Sequence, residues 1–185
     1  MNFKAVGAIS ALIAIVFISG CIGQDPSTTT QVGNGYQIWE SQEYGIRVQY
    51  PSDWTVTEDY MGTVVYFSAG LENEDDLFAD NFNIAMGQLE NNTVTLEQQV
   101  NKSFKLVESL YNNVTLIGSN DYLVSGIPAR EITYTLSQGM YEFRIIQTYM
   151  MSEGIVYVIT YNSEGLEMGE HSEKFYDVVQ SFEIL

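Results

Sequence analysis

Residues 155–161 read IVYVITY, a run that is apolar on both faces of an extended chain. Such a strand needs a neighbour on each side and a covering layer above and below, so it predicts a central strand in a covered sheet. Around it lie segments that alternate with period two. Ile46, Val48 and Tyr50 form one apolar row, Phe82, Ile84 and Met86 a second, and Ile132, Tyr134 and Leu136 a third. These read as strands with one face buried. Ser137-Gln138-Gly139 and Ser152-Glu153-Gly154 are turn-forming triplets. They predict an antiparallel meander of Glu131–Leu136, Tyr141–Met151 and Ile155–Tyr161.

Two segments change to helical spacing. Leu96, Val100, Phe104, Val107 and Leu110 recur every three or four residues, and Thr95 with Gln98 has the capping-box pattern, so a helix is predicted from about Leu96 to Tyr111. A second is predicted from about Glu167 to Ser181, with Met168, Phe175, Val178, Val179 and Phe182 on one side. Acids near its start suit the helix dipole, whereas Gly169 weakens its first turn. The expected fold class is α+β: an antiparallel β-sheet flanked by helices, an α/β/α sandwich.

The N-terminus follows a different logic. Met1-Asn2-Phe3-Lys4 is followed by an apolar run from Ala5 to Ile18, then by Ser19-Gly20-Cys21. A basic start, a short apolar stretch and small residues at the exit describe a secretory signal. The Cys directly after Ser-Gly resembles the lipobox of prokaryotic lipoproteins, which implies cleavage after residue 20 and lipidation of Cys21. The alternative is an uncleaved anchor helix, for which residues 5–22 are only just long enough. Residues 21–35 then comprise the lipidated Cys and a flexible tether, because IGQDPSTTTQVGNG has no periodicity. Its reach is about 20 Å r.m.s. and about 45 Å when taut. Residues 36–185 remain for one folded domain.

The charge balance removes several classes of function. Seven bases stand against 24 acids, a net charge of −17. Nucleic acids and anionic lipid surfaces both require clustered Lys and Arg, which this chain lacks. One Cys and one His exclude an internal disulfide and a Cys/His zinc site. Any Ser-His-Asp arrangement would have to use His171, and no Ser-containing elbow motif accompanies it. The densest acidic stretch contains Glu72, Glu74, Asp75, Asp76 and Asp80. These offer Ca²⁺-type oxygen ligands, but without the spacing or the central Gly of an EF-hand loop. A solvated acidic loop is the plainer reading. Glu164, Glu167, Glu170 and Glu173 recur every three residues, which on a helix makes a broad solvated face. Asn91, Asn101 and Asn113 each open an N-glycosylation triplet, relevant only if the chain is exported.

Taken in order, a set of short motifs resembles the PsbP/MOG-type fold family, as found in prokaryotic PsbP-like lipoproteins. The set comprises Tyr44-Gly45-Ile46 through Tyr50-Pro51-Ser52-Asp53-Trp54, then Val64-Val65-Tyr66-Phe67-Ser68, Thr95-Leu96-Glu97, Ser125-Gly126-Ile127-Pro128-Ala129, Tyr157–Tyr161 and Ser181-Phe182. Pro51 can set a turn at a strand end, and Trp54 offers a large surface for the core. The resemblance implies a non-enzymatic adaptor domain that docks on a larger assembly, with no catalytic residues and no cofactor. The resulting expectation is an extracytoplasmic, lipid-anchored protein of an archaeal or bacterial cell membrane that docks on a membrane complex, with a basic protein as partner. The alternatives are an extracytoplasmic binder of a cation or small ligand, and a secreted carboxylate-dependent hydrolase.

Overall fold

The computed structural model describes residues 30–33, 35–71, 78–89, 91, 93–169 and 171–185. In chain order its elements are β1 (Thr30–Val32), β2 (Tyr36–Ser41), β3 (Ile46–Pro51), β4 (Thr55–Glu58), β5 (Val65–Ser68), β6 (Asn81–Gln88), α1 (Leu96–Leu110), β7 (Asn112–Val124), β8 (Ile127–Gln138), β9 (Tyr141–Ser152), β10 (Ile155–Glu164), α2 (Ser172–Ser181) and β11 (Glu183–Ile184). The strands form two antiparallel sheets. The small one has the order β1-β2-β3-β11, and the seven-stranded one β4-β5-β6-β10-β9-β8-β7. The expected meander is present as β8, β9 and β10, and β10 is central, between β6 and β9.

The two faces of β10 feed two cores. Tyr157, Ile159 and Tyr161 join Phe82, Ile84, Ile146 and Met150. That face is covered by Trp39, Val48 and Tyr50 of the small sheet and by Phe175, Val178 and Val179 of α2. Val156 and Val158 join Ile132, Tyr134, Leu136, Ile145 and Tyr149 on the other face, under Val100 and Val107 of α1. The architecture is therefore mainly antiparallel β with two helices. One outer layer is α1, whereas the other is a second sheet together with α2, so the expected sandwich has helix alone on only one side. Strand β8, read from its alternation as half-buried, is covered on both faces: Glu131 and Thr135 of its polar row are buried as well as Ile132 and Tyr134 between them. Alternation in sequence reports polarity, and here the polar row lies partly under a helix.

Local chemistry explains the connections. Ser125-Gly126 and Glu153-Gly154 take positive φ at both positions, the backbone of a two-residue hairpin turn that follows strand twist. At the end of β3, the Trp54 amide donates to the Pro51 carbonyl at 3.1 Å, and this turn drops the indole into the core against Phe82, 5.1 Å between ring centres. The first helix matches its expected span. The second begins at Ser172, five residues later than expected, because residues 165–169 are held to the sheet: the Gly165 amide donates to the Glu142 carbonyl at 2.8 Å, and Arg144 Nη1 donates to the Leu166 carbonyl at 2.8 Å. Met168 is accordingly exposed rather than on a buried stripe; of the periodic Glu residues, Glu164 ends β10, Glu167 precedes the helix, Glu173 is on it, and Glu170 lies outside the described residues. Chain pairing also begins earlier than expected. Thr30–Val32, inside the stretch read as tether, pairs with Tyr36–Ile38.

Candidate functional site

Two polar clusters attach α2 and its approach to the large sheet. In the first, Tyr161 projects from β10 and donates its hydroxyl to Asp80 Oδ2, while His171 Nδ1 lies 3.3 Å from the same oxygen. Both side chains of the Asp80–His171 pair are nearly buried. The His171 ring packs edge-on against Trp54 at 5.3 Å, and Lys174 sits 5.9 Å above that indole while its amine lies 3.9 Å from Asp53. A Cβ added to Gly169 would collide with the Tyr161 hydroxyl and stand 2.6 Å from Ser163 Cβ and 2.8 Å from Asp80 Oδ2. Only glycine fits that position. Burial, then the adjacent Asp80 carboxylate, pushes the Tyr161 hydroxyl far above the ordinary tyrosine range, so it remains a donor.

In the second cluster Glu131 of β8 accepts from two tyrosine hydroxyls. Tyr122 of β7 donates to Oε2 at 3.2 Å and lies 2.8 Å from the Thr148 hydroxyl, while Tyr176 of α2 donates to Oε1 at 3.3 Å. Burial pushes the Glu131 carboxyl above the usual carboxylate range, and the two tyrosine hydrogen bonds pull it back in part. Beneath α1 a third polar set is fully buried, with Tyr149 donating to Gln147 at 2.7 Å and Gln147 to Thr160 at 3.2 Å.

Chemically, the first cluster contains the residue types of a triad in an order that does not relay protons to a nucleophile. Asp80 stands between His171 and Tyr161, and the neighbouring Ser163 hydroxyl donates to the Arg144 carbonyl at 3.4 Å. The clusters bind elements together, and in each the carboxylate is taken up by hydroxyl or imidazole partners. Two open surface grooves occur, of about 400 Å³ beside Leu96, Leu123 and Arg130 and about 470 Å³ beside Asn113, Met140 and Glu142. In the first, Arg130 grips Asp121 through two hydrogen bonds of 2.7 Å and reaches Glu97 at 3.8 Å, so its charge is already engaged.

Of the residues singled out in the sequence, Cys21, Glu72, Glu74, Asp75 and Asp76 lie outside the described residues. Asp80 is described, and it turns inward to Tyr161 and His171. Among the described residues no group of three or more His, Cys, Asp or Glu side chains is arranged to hold a metal ion, and no helix is long and apolar enough to cross a membrane. Asn91, Asn101 and Asn113 are all exposed. Asn91 folds its side chain into a local turn, accepting from the Thr93 amide at 3.0 Å, and Asn113 donates to Ser137 at 3.3 Å. Trp54 is buried, as its size suggested. The Glu131 cluster went unread in the sequence, where its only trace is an acid within a strand on a row with Thr133 and Thr135.

An antiparallel sheet covered on both faces, with hydrogen-bonded polar clusters joining α2 and its approach to it, defines a small α+β domain. The family model for PsbP-like proteins matches residues 6–184, and the chain belongs to that family. Among solved structures, PsbP from the cyanobacterium Synechocystis is similar with a TM-score of 0.57 and 15% identity, over 90% of this chain and 98% of that one. The Ran-binding protein Mog1p of Saccharomyces cerevisiae is similar with a TM-score of 0.58 and 9% identity, over 86% and 96%. LpqN of Mycobacterium tuberculosis, a protein involved in cell envelope biogenesis, gives 0.51 and 13%, over 85% and 89%. At these identities the likeness is one of fold. No curated protein sequence matches the chain.

Proposed function

We propose that this protein is a lipid-anchored PsbP-like domain, held at the outer face of the cell membrane through Cys21, that acts by docking on a membrane complex and not by catalysis. The observation that carries this reading is the state of the interior acids. Asp80 and Glu131, the carboxylates best shielded from water, are each taken up by hydroxyl or imidazole partners that fasten α2 to the sheet. A hydrolase would need such groups facing a substrate. The anchor rests on the basic start, the apolar run and the Ser-Gly-Cys exit of residues 1–21. The fold supports a docking role because similar structures include a Ran-binding protein and a protein of envelope biogenesis. A net charge of −17 speeds encounter with a basic partner and makes that encounter salt-sensitive.

Fractionation of cells expressing the wild type and Cys21→Ser tests the anchor. The wild type should sediment with membranes and carry lipid mass on Cys21, and the variant should be released or keep residues 1–20. A variant that stays membrane-bound at full length, beside an equally uncleaved wild type, would establish an anchor helix instead. The docking role fails if the protein turns over ester, glycoside or peptide substrates and loses that turnover in Asp80→Asn or Glu131→Gln.

A further inference from the structure

The seven-stranded sheet ends in two very different edges. Strand β4 is four residues long, and its last residue, Glu58, accepts a hydrogen bond from Trp39 of the small sheet at 2.6 Å. Strand β7 is thirteen residues long and, among the described residues, pairs only with β8. All of β7 is exposed except Val114, Tyr122 and Val124. Long unpaired edges template pairing with another strand, and monomeric proteins blunt them with Lys, Pro, β-bulges or short length; the two register shifts of β7 lie in its first half, before Gly118. Residues 112–124 contain no Lys, no Arg and no Pro. The β7–β8 ladder is irregular between Asn112 and Gly118 and regular from Gly118 to Val124, so the outer edge of that second half is straight.

Composition and charge indicate what fits there. Leu116, Ile117 and Leu123 are each half or more exposed, more large apolar side chains than any other single element leaves in water. Residues 112–120 carry no charge in a chain with 24 acids, and the one acid of the strand, Asp121, is held by the Arg130 guanidinium. A protein with a net charge of −17 resists self-association through most of its surface, and this edge is the exception. A basic partner strand would find no complementary charge along it.

We propose that β7 is the interface of a symmetric homodimer, in which two copies pair their β7 strands antiparallel and the two seven-stranded sheets continue as one. Antiparallel pairing about a two-fold axis requires one residue to face its own copy. Placing Asn120 there sets Asp121 opposite Ser119 and Gly118 opposite Tyr122 on both sides of the axis, and brings Ile117, at the bulge that ends the regular stretch, next to Leu123 of the other copy. Apolar residues then meet apolar ones, and no acid faces an acid. The proposal uses only β7 and stands apart from the anchor reading.

The test is the mass of the full-length protein in detergent, measured by light scattering across a concentration series, with Asn120→Lys and Ile117→Lys beside it. The wild type should shift from monomer to dimer as concentration rises, and both variants should remain monomeric with unchanged circular dichroism and melting temperature. In a Cys21→Ser background, Asn120→Cys should crosslink to a covalent dimer on mild oxidation, because facing Cα atoms in such a pair are about 4.5–5.5 Å apart, within disulfide reach. Leu71→Cys, on an exposed position away from this edge, should not. A wild type that stays monomeric throughout the concentration series, or a dimer that survives Asn120→Lys, overturns the proposal.

Discussion

Helices α1 and α2 bury comparable apolar stripes on opposite faces of one sheet, yet they begin in different ways. At α1 the chain closes its own end: the Gln98 amide donates to the Thr95 hydroxyl at 3.2 Å, and the Thr95 amide donates to the Gln98 side chain at 2.9 Å. At α2 the N-cap is His171, and its side chain makes no capping hydrogen bond. That ring turns to Asp80, and Gly169 is wedged against Tyr161 and Asp80 just before it. One helix start is set by four consecutive residues and the other by Asp80, on the approach to β6, and Tyr161 of β10. A cap that is local in sequence can be read from sequence, whereas one assembled across the fold cannot.

The largest effect should come from closing the space at the second start. Gly169→Ala places a methyl group where Tyr161, Ser163 and Asp80 already meet, and overpacking of this kind costs about 3 kcal/mol, or a fall in Tm of about 10 °C. Thermal melts read by circular dichroism check it. A variant that melts within about 2 °C of the wild type would mean that the approach to α2 has slack, and the contrast between the helices would weaken. Thr95→Ala should cost less, about 1 kcal/mol, and Thr95→Asp should restore most of that, since either side chain can accept from the Gln98 amide. Denaturant unfolding of the pair measures it. Equal losses in Thr95→Ala and Thr95→Asp would show that the cap is not what fixes α1.

The smallest effect concerns how α2 is held after it starts. Glu131 accepts from Tyr176 on that helix, and burial raises its carboxyl above the usual range. The folded state therefore binds the Glu131 proton more tightly than the unfolded chain does. The resulting contribution is full below the ordinary glutamate pKa, about 4.3, and is lost as pH rises through the raised folded value. Glu131→Gln should flatten this part of the stability–pH profile, with a difference under about 1 kcal/mol at neutral pH. A profile unchanged from pH 4 to pH 7 would place the slope on other groups.

The legible parts of this fold share a cause. The IVYVITY strand, the meander and the α1 cap are specified within about ten residues of themselves, so period and turn chemistry reveal them. The late start of α2 depends on Glu142 and Arg144, more than twenty residues upstream, holding residues 165 and 166. The Glu131 cluster depends on β7, β9 and α2 arriving together. Neither leaves a period in the chain. Asp80 was read with its acidic neighbours because sequence shows adjacency. In the structure it faces residues 161 and 171, which are far from it in the chain.

The pairing of β6 with β10 sets a timetable for folding. Residues 81–88 have no strand on that side until residues 155–162 have been made. The small sheet waits longer still, because β3 is bordered by residues 183 and 184, and the Leu185 amide closes onto the Gly45 carbonyl at 2.9 Å. A ribosome would therefore release most of this chain before either sheet could be completed, and distant pairings of this kind are slow to form.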